Sequence, residues 1–179
     1  QPPLLVGHSM GCQVALETRR RHPEWVGGLV LMLGTAGNAL DTFFDNPRSP
    51  SFFRMAHRII FRSGERSNEL IRPLLESPLA WKFATQFSLV DPYYTKQEDM
   101  LPYLAHLATL DQRLFIENVL KTNEHNAWEI LPDLDRPLLV IAAENDKFTP
   151  MWCSEKMVND TPDAELLLLA DASHAALIE

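Results

Sequence analysis

Residues 3–11 read PLLVGHSMG, a short apolar run that stops at Gly7 and is followed by a serine between two glycines. Residues 12–17, CQVALE, are mostly good helix formers, and this character continues to about Arg21. His22-Pro23 ends the predicted helix, because the residue before a proline is pushed out of the helical region. The stretch therefore predicts a strand, a sharp turn at Ser9 and a helix.

A second apolar run, residues 26–33 (VGGLVLML), follows this helix and ends at residues 34–37 (GTAG). Strand, helix and strand in this order make a βαβ unit. Runs that are apolar throughout are typical of parallel strands that are covered on both faces. We therefore predict an α/β fold with a parallel sheet flanked by helices.

The chain between about 39 and 130 has a different character. Proline and aromatic residues punctuate several predicted helices, and no strand alternation persists. Apolar residues fall at helical spacing in two stretches: Phe52, Met55, Ala56, Ile59 and Ile60, and then Leu104, Leu107 and Leu110 in a stretch that ends near Asn123. We interpret residues 39–130 as a helical insertion.

The sheet pattern resumes after the insertion. Residues 137–143 (PLLVIAA) and residues 164–170 are predicted strands. Pro150 suits the first turn of a helix that runs to about Asn159, and a last helix is predicted to begin near Ala175. The predicted organisation is residues 1–38 and 131–179 as the core, interrupted by 39–130.

The glycines two residues before and after Ser9 give the turn a chemical meaning. Side chains at Gly7 and Gly11 would collide with the neighbouring backbone, so glycine allows a sharp, strained turn. Such a turn presents the serine hydroxyl at the carboxyl end of the sheet, and the following helix directs its N–H groups toward developing negative charge. The N–H of Met10 is the predicted oxyanion donor. Chance is the alternative, and the strand before and the helix after the motif argue against it.

A serine nucleophile needs a base and an orienting acid. Asp146 follows the strand at 137–143, and His174 follows the strand at 164–170. The carboxyl ends of neighbouring parallel strands converge on one crevice, so the two side chains are candidates for the acid and the base. The alternatives are a turn or cap role for Asp146 and a plain loop position for His174.

Other polar residues near these strand ends compete for the same roles. Glu144 and Asp171 are rival acids, but each lies closer to its strand and is interpreted as a structural charge. His8 adjoins Ser9 and is interpreted as a residue that packs or bonds beside it. The remaining histidines have no partner at ligand or triad spacing: His22, His57, His106 and His125.

Three motifs together resemble the α/β-hydrolase family of esterases, lipases and related enzymes: GHSMG at 7–11, ENDKFTP at 144–150 and ASHAALIE at 172–179. The resemblance implies a partial α/β-hydrolase fold, in which the insertion is a lid over the site. It implies Ser9 as nucleophile, Met10 as the oxyanion residue, Asp146 as acid and His174 as base. The chain order Ser, Asp, His is the order this fold uses.

The chain departs from the family pattern at its start. In complete members the nucleophile strand is the fifth of eight, whereas three residues precede it here. We therefore expect a truncated sheet with an exposed apolar edge on the nucleophile strand, and a last helix that is cut off. The second oxyanion donor usually comes from the missing part, and one lost donor costs about 100–1,000-fold in turnover. The parent protein is accordingly expected to be an enzyme, and an isolated chain that is inactive through truncation is left as an open alternative.

Composition limits the partners. The 179 residues are 46% hydrophobic and 22% charged, as in an ordinary globular domain, and the net charge of -8 disfavours nonspecific nucleic-acid binding. The two cysteines, Cys12 and Cys153, have neither metal-type spacing nor a disulfide pattern. No apolar run approaches the ~18–20 residues of a membrane helix. We expect no cofactor, no metal, no nucleic acid, no membrane contact and a cytoplasmic location, and the oligomeric state is left open.

The aromatic residues of the insertion indicate a small apolar carbonyl substrate, because a cap over a nucleophile usually forms the apolar pocket. They are Phe43, Phe44, Phe52, Phe53, Phe61, Trp81, Phe83, Phe87, Tyr93 and Tyr94. The alternative is that they only pack the insertion helices together. Ser51–Arg62 is also basic and amphipathic, and a solvated helix is favoured there over contact with an anionic lipid surface.

Two classes of function remain open from the residues. The favoured one is hydrolysis of an ester, thioester or similar bond through an acyl-enzyme, with C–C hydrolysis, acyl transfer and cofactor-free peroxidation as variants of the same triad. The other is a non-catalytic ligand-binding protein with the same fold. A chain that does not fold stably, because half the sheet is missing, is a third possibility.

Overall fold

Four parallel strands form the centre of the structure, a computed structural model that describes all 179 residues. The strands lie side by side in the order β1-β2-β3-β4. Their bounds are β1 Leu4–His8, β2 Gly28–Met32, β3 Leu138–Ala143 and β4 Glu165–Leu169. The α/β class and the parallel sheet are confirmed, and each of these strands lies where the sequence predicts one.

Helices connect the strands, because a parallel pair needs a crossover that returns the chain to the same end of the sheet. Helix α1 (Met10–Arg21) joins β1 to β2, and helix α8 (Met151–Asn159) joins β3 to β4. Between β2 and β3 the chain is helical, as predicted. These helices are α2 Ala39–Thr42, α3 Ser49–Ser63, α4 Arg66–Leu75, α5 Pro78–Gln86, α6 Gln97–Thr109 and α7 Gln112–Thr122.

Two helix predictions were wrong in detail. The single stretch predicted up to Asn123 is broken into α6 and α7, because Leu110 is extended and the Asp111 side chain caps α7 by accepting a hydrogen bond from the N–H of Arg113. The helix predicted from Ala175 is absent. Residues 175–178 instead form turns, with a 2.9 Å bond from Ile178 N to Ala175 O.

The main hydrophobic core contains 13 buried residues contributed by the sheet, α1, α8 and the segment that leads into β3. Leu16 of α1, Leu31 of β2, Val140 of β3 and Met157 of α8 are completely buried in it. Burial of each apolar side chain of this size contributes about 1.5–3 kcal/mol to the free energy of folding. The core therefore fixes the inner strands and the two crossover helices relative to one another.

The two outer strands are less covered than the sequence predicted. The apolar runs indicated burial on both faces, yet Leu4 and Val6 of β1 are 58% and 63% exposed, and four of the five residues of β4 are exposed. The reason is that β1 and β4 are the edges of the sheet and each has a strand on one side only. The expected exposed edge on the nucleophile strand is present.

The insertion has its own, smaller core. Ala84, Val90, Met100 and Leu104 form a buried cluster, and Ala175 from the loop after β4 packs against it. No helix in the structure combines the length and the apolar character that crossing a bilayer requires.

Candidate active site

Ser9 forms the whole connection between β1 and α1, since β1 ends at His8 and α1 begins at Met10. Its backbone has φ 54° and ψ -121°, a region that non-glycine residues rarely adopt and that costs about 1–3 kcal/mol. Hydrogen bonds hold the strained residue: Ser9 N donates to Met32 O at 2.9 Å, and Cys12 N donates to Ser9 O at 3.0 Å. Core packing of β2 and α1 therefore sustains a turn that Ser9 alone would not adopt.

The two glycines of the motif have different roles. A Cβ on Gly7 would lie 2.8 Å from Cys12 N and 2.6 Å from Gly11 C, so the predicted collision is real there. A Cβ on Gly11 would meet nothing within 4 Å, so the collision predicted at that position was wrong. Only Gly7 must be glycine for reasons of space, because its α-carbon faces the first turn of α1, whereas the α-carbon of Gly11 faces open space.

Gly34 is a third glycine of the turn that sequence reasoning missed. From the sequence alone it marks only the end of the second predicted strand. A Cβ on Gly34 would lie 2.8 Å from Ser9 O and would also overlap the Cys12 side chain. Gly34 stands two residues after β2, the neighbour of the strand that carries Ser9, and no local pattern in the sequence marks it.

Asp146 lies in the loop after β3, where it is 3% exposed. Its Oδ1 accepts hydrogen bonds from Phe148 N at 2.7 Å and Thr149 N at 3.0 Å. Its Oδ2 accepts a bond from Thr149 Oγ1 at 2.9 Å. These donors hold the buried carboxylate in one orientation, so the turn role considered as an alternative for Asp146 is present together with an Oδ2 that can also accept from His174.

His174 lies between Asp146 and Ser9. Its Nδ1 is 2.8 Å from Asp146 Oδ2, and its Nε2 is 3.0 Å from Ser9 Oγ. The carboxylate can only accept a hydrogen bond, so Nδ1 donates to it and Nε2 is left to accept from the serine hydroxyl. The structure thus brings together the three side chains that the sequence analysis singled out.

The rival acids do not reach the imidazole. Glu144 and Asp171 are both exposed, and Glu144 Oε2 accepts a hydrogen bond from the backbone N–H of Asp171 at 3.1 Å. This bond joins the loop after β3 to the loop after β4. A second such bond, from Asn145 N to Ala172 O at 2.8 Å, fixes the two loops relative to each other.

The residues flanking Ser9 complete the turn. Met10 is the first residue of α1, so its N–H is among those that have no acceptor inside the helix. The His8 ring centroid lies 5.7 Å from that of His174. Partial desolvation, and then the His174 imidazole, lower the pKa of His8 below its ordinary value. The residue is exposed to solvent, and its ring lies beside that of His174.

An aromatic wall extends from the site into the insertion. The Phe148 ring lies 4.6 Å from that of His174 and stacks on Phe43 at 4.1 Å. Phe44 contacts Phe148 and Phe87, each at 6.3 Å between centroids. Sequence reasoning missed Phe148, although the residue stands two positions after Asp146 in the quoted ENDKFTP motif.

Other chemically reactive side chains lie away from this site. His57 pairs with Glu117 and His125 with Glu17, both at 3.3 Å. No group of three or more His, Cys, Asp or Glu side chains is arranged to hold a metal ion. The two cysteines, Cys12 and Cys153, are free and buried, and burial raises the pKa of each thiol to about 12.

A parallel sheet with polar loops at the carboxyl ends of β1, β3 and β4 is the architecture of α/β enzymes that bind ligands at that edge. The family model described as "Alpha/beta hydrolase family" matches residues 1–179. The chain belongs to the α/β-hydrolase family.

Individual relatives support the same assignment. The chain is 29% identical over 173 residues to a protein of Pseudomonas syringae named "Putative carbamate hydrolase RutD", an alignment that covers 97% of this chain and 61% of that protein. It is 24% identical over 186 residues to a 2-hydroxy-6-oxononadienedioate/2-hydroxy-6-oxononatrienedioate hydrolase of a Pseudomonas species, covering 96% of this chain and 56% of that one. The chain thus spans less than two thirds of the length of these relatives.

A solved structure shows the shared fold. The thermophilic esterase of Thermogutta terrifontis superposes with a TM-score of 0.70 at 20% sequence identity, covering 99% of this chain and 60% of the esterase chain.

Proposed function

We propose that the protein is a serine hydrolase that acts on a small apolar ester, thioester or related carbonyl substrate through an acyl-enzyme. The observation that carries this proposal is the continuous hydrogen-bonded line from Ser9 Oγ through His174 to Asp146, with distances of 3.0 Å and 2.8 Å. Hydrogen-bond reach between nucleophile, base and orienting acid is the geometry that nucleophilic catalysis requires.

Each member of the triad has one role. Ser9 Oγ attacks the carbonyl carbon and forms the new C–O bond while its proton passes to His174 Nε2. Asp146 keeps the imidazole in the tautomer with the proton on Nδ1 and stabilises the positive charge that develops on the ring. His174 then gives its proton to the leaving group as the bond to that group breaks. A water molecule, deprotonated by the same Nε2, attacks the acyl carbon, and the proton returns to Ser9 Oγ as the acid leaves.

The negative charge on the tetrahedral oxygen is stabilised at the start of α1. Met10 is the residue after the nucleophile, and its N–H is the proposed oxyanion donor. The positive end of the α1 dipole adds to this stabilisation, because α1 begins directly after Ser9. The strained backbone at Ser9 is what places the hydroxyl and the first N–H groups of α1 on the same side of the turn.

We propose residues 39–130 as the lid and their aromatic side chains as the wall of the substrate site. Phe43 and Phe44 connect the insertion to Phe148, whose ring lies against His174. An aromatic wall favours an apolar acyl group, and the net charge of -8 makes a small molecule a better partner than a nucleic acid. The carbamate named for the Pseudomonas syringae relative is one such carbonyl substrate.

Hydrolysis of a carbon–carbon bond is the second candidate, and the name of the Pseudomonas species relative favours it. The triad and the oxyanion donor would be the same, so the residues do not separate the two reactions. The products do: an ester releases an alcohol and an acid, whereas a dienedioate substrate of the kind that this name describes loses its absorbing conjugated system when the carbon–carbon bond breaks.

Pre-steady-state hydrolysis of p-nitrophenyl esters, from acetate to octanoate, tests the proposal. An acyl-enzyme that forms faster than it is hydrolysed predicts a burst of nitrophenol equal to the enzyme concentration, followed by a slower steady rate. The burst should be lost in Ser9→Ala and kept in Ser51→Ala, which changes an exposed serine of α3. A burst of equal size in Ser9→Ala would contradict the proposal.

A further inference from the structure

The side chain of Glu179 lies where the loop that carries His174 meets the insertion. Its carboxylate accepts hydrogen bonds from residues that are far apart in the chain: Ser173, next to the proposed base, and Asp91, in the segment between α5 and α6. The carboxylate does not contact Ser9, Asp146 or His174, so the proposed chemistry leaves it without a role.

On the histidine side the carboxylate has two bonds to one residue. Ser173 N donates to Glu179 Oε2 at 2.6 Å, and Ser173 Oγ donates to Glu179 Oε1 at 2.5 Å. The same hydroxyl accepts a hydrogen bond from Ala175 N at 3.1 Å. The residues before and after His174 are therefore both tied, directly or through the Ser173 hydroxyl, to the Glu179 carboxylate.

On the insertion side the carboxylate reaches the backbone. Asp91 N donates to Glu179 Oε1 at 2.8 Å, and Leu89 O lies 3.1 Å from the Ser173 hydroxyl. Val90, between these two residues, is 2% exposed and belongs to the cluster against which Ala175 packs. Polar and apolar contacts thus join the same two segments.

We propose that Glu179 is a positioning residue that couples the seating of the insertion to the placement of His174 over Ser9. This inference rests on the proposed function and deepens it. When the insertion is seated, the Asp91 N–H and the two donors of Ser173 share one carboxylate, and the imidazole is held between Asp146 and Ser9. When the insertion shifts, the carboxylate loses a partner and the loop around His174 loosens.

The contacts of Glu179 with Ser173 and Asp91 form a junction between the His174 loop and the insertion. A negative charge suits this junction because every partner of the Glu179 carboxylate is a hydrogen-bond donor. An ionised carboxylate only accepts hydrogen bonds, and bonds to a charged acceptor are about twice as strong as neutral ones. In Glu179→Gln one oxygen becomes an NH2 group that faces an N–H of the protein. The amide therefore keeps the shape of the side chain but breaks at least one of the bonds.

Hydrogen exchange of the full chain tests the coupling without any need for activity. In Glu179→Ala the peptides that contain residues 89–91 and 173–176 should exchange faster together, although they are more than 80 residues apart in sequence. The matched control is Glu155→Gln, which alters an exposed glutamate of α8. Faster exchange of only one of the two peptides, or of neither, would overturn the coupling.

A second readout follows the imidazole itself. The downfield NMR signal of the His174 Nδ1 proton, which donates to Asp146, should broaden or vanish in Glu179→Ala and remain sharp in Glu155→Gln. A merely structural contact would leave this signal unchanged in a chain that still melts cooperatively. An unchanged signal in a folded Glu179→Ala variant would therefore overturn the positioning role, whether or not the chain hydrolyses any ester.

The rate at which a fluorophosphonate probe modifies Ser9 links the contacts of Glu179 to the proposed chemistry. Glu179→Ala should lower this rate about 100-fold, since a misplacement of a catalytic group by about 1 Å has an effect of this size. Glu179→Gln, which keeps part of the hydrogen bonding, should lower it about tenfold. Ser173→Ala combined with Glu179→Ala should be slowed by less than the product of the two single effects, because the two changes share the bonds between Ser173 and Glu179. Full additivity or an unchanged rate would overturn the inference. If Ser9 is unreactive even in the unaltered chain, the proposed function fails, and exchange and NMR still decide the coupling.

Discussion

The sheet core buries more of its apolar side chains than the insertion does. The core encloses 13 buried residues, with Leu31 and Val140 completely inaccessible, and the loops that carry Ser9, Asp146 and His174 project from its strands. The insertion buries a cluster of four, while many of its large apolar side chains remain at the surface. Well-packed strands thus hold the proposed catalytic groups, and a less buried helical layer supplies the proposed wall beside them.

This difference separates two tasks of the proposed enzyme. Proton transfer and nucleophilic attack need distances of about 3 Å, which only a well-packed scaffold maintains. Recognition of an apolar acyl group tolerates more movement, because apolar contacts have little directionality. The contrast predicts large effects for changes in the strand-end loops and the core, and small effects for changes on the outside of the insertion.

Replacement of the proposed acid should have the largest effect. Asp146→Asn keeps the shape of the side chain but favours the wrong imidazole tautomer, so we expect about a 10,000-fold lower acylation rate. Glu144→Gln, two residues earlier in the same loop, keeps an oxygen that can accept from Asp171 N and does not reach His174, so it should leave the rate nearly unchanged. Stopped-flow acylation by a p-nitrophenyl ester measures both. A loss of similar size in Glu144→Gln would mean that the acid is misassigned.

Core and insertion should differ clearly in stability. Leu31 is 0% exposed and Leu70 of α4 is 65% exposed. Leu31→Ala should lower the free energy of unfolding by about 2–5 kcal/mol, because it leaves a cavity in the main core. Leu70→Ala should change it by less than about 0.5 kcal/mol. Urea denaturation gives both values, and equal losses would show that the insertion is as tightly packed as the core.

The two glycines that flank Ser9 compare a tightly packed position with an open one inside a single motif. Gly7→Ala forces a Cβ into the first turn of α1 and should cost about 1–3 kcal/mol of stability together with the reactivity of Ser9. Gly11→Ala faces open space at a helical position without positive φ and should be neutral or slightly stabilising. Thermal melts of the two variants check this. A greater loss in Gly11→Ala would mean that something covers that face in solution.

The smallest signal is expected from the native cysteines, whose rate of reaction with maleimide should be very low. Cys12 and Cys153 are buried, and with a pKa of about 12 only about one thiol in 10,000 is ionised at pH 8. Neither should react within the time that denatured protein needs to react completely. A cysteine placed on the insertion by Ser51→Cys should react at once, because position 51 is exposed. Rapid reaction of the unaltered native chain would contradict the packing around the turn.

The sequence was sufficient for the sheet and for the proposed triad. The four strands are short apolar runs bounded by glycine, proline or polar residues, and tertiary contacts did not override those signals. Ser9, Asp146 and His174 come one, three and five residues after the ends of their strands, so strand ends alone indicated that they converge. Their spacing of 137 and 28 residues gave no such information by itself, because the insertion lies inside the larger gap.

Features that depend on packing between distant segments were not predictable. The collision at Gly34 exists only because β2 lies beside the turn, and no local pattern distinguishes it from the tolerant Gly11. The contact of Phe148 with His174 and the bonds of Glu179 to residue 91 join loops through space. The exposure of β1 and β4 follows from their places at the sheet edges, which an apolar run does not encode.

Labelling of the 179-residue chain with a fluorophosphonate probe, followed by mass spectrometry of the modified peptide, tests whether Ser9 is a nucleophile that His174 activates. We predict one phosphonyl group per chain on Ser9, no labelling in Ser9→Ala and at most trace labelling in His174→Ala, with Ser51→Ala labelled as fast as the unaltered chain. Labelling that persists in Ser9→Ala, or no labelling of a chain that melts cooperatively, would contradict this prediction.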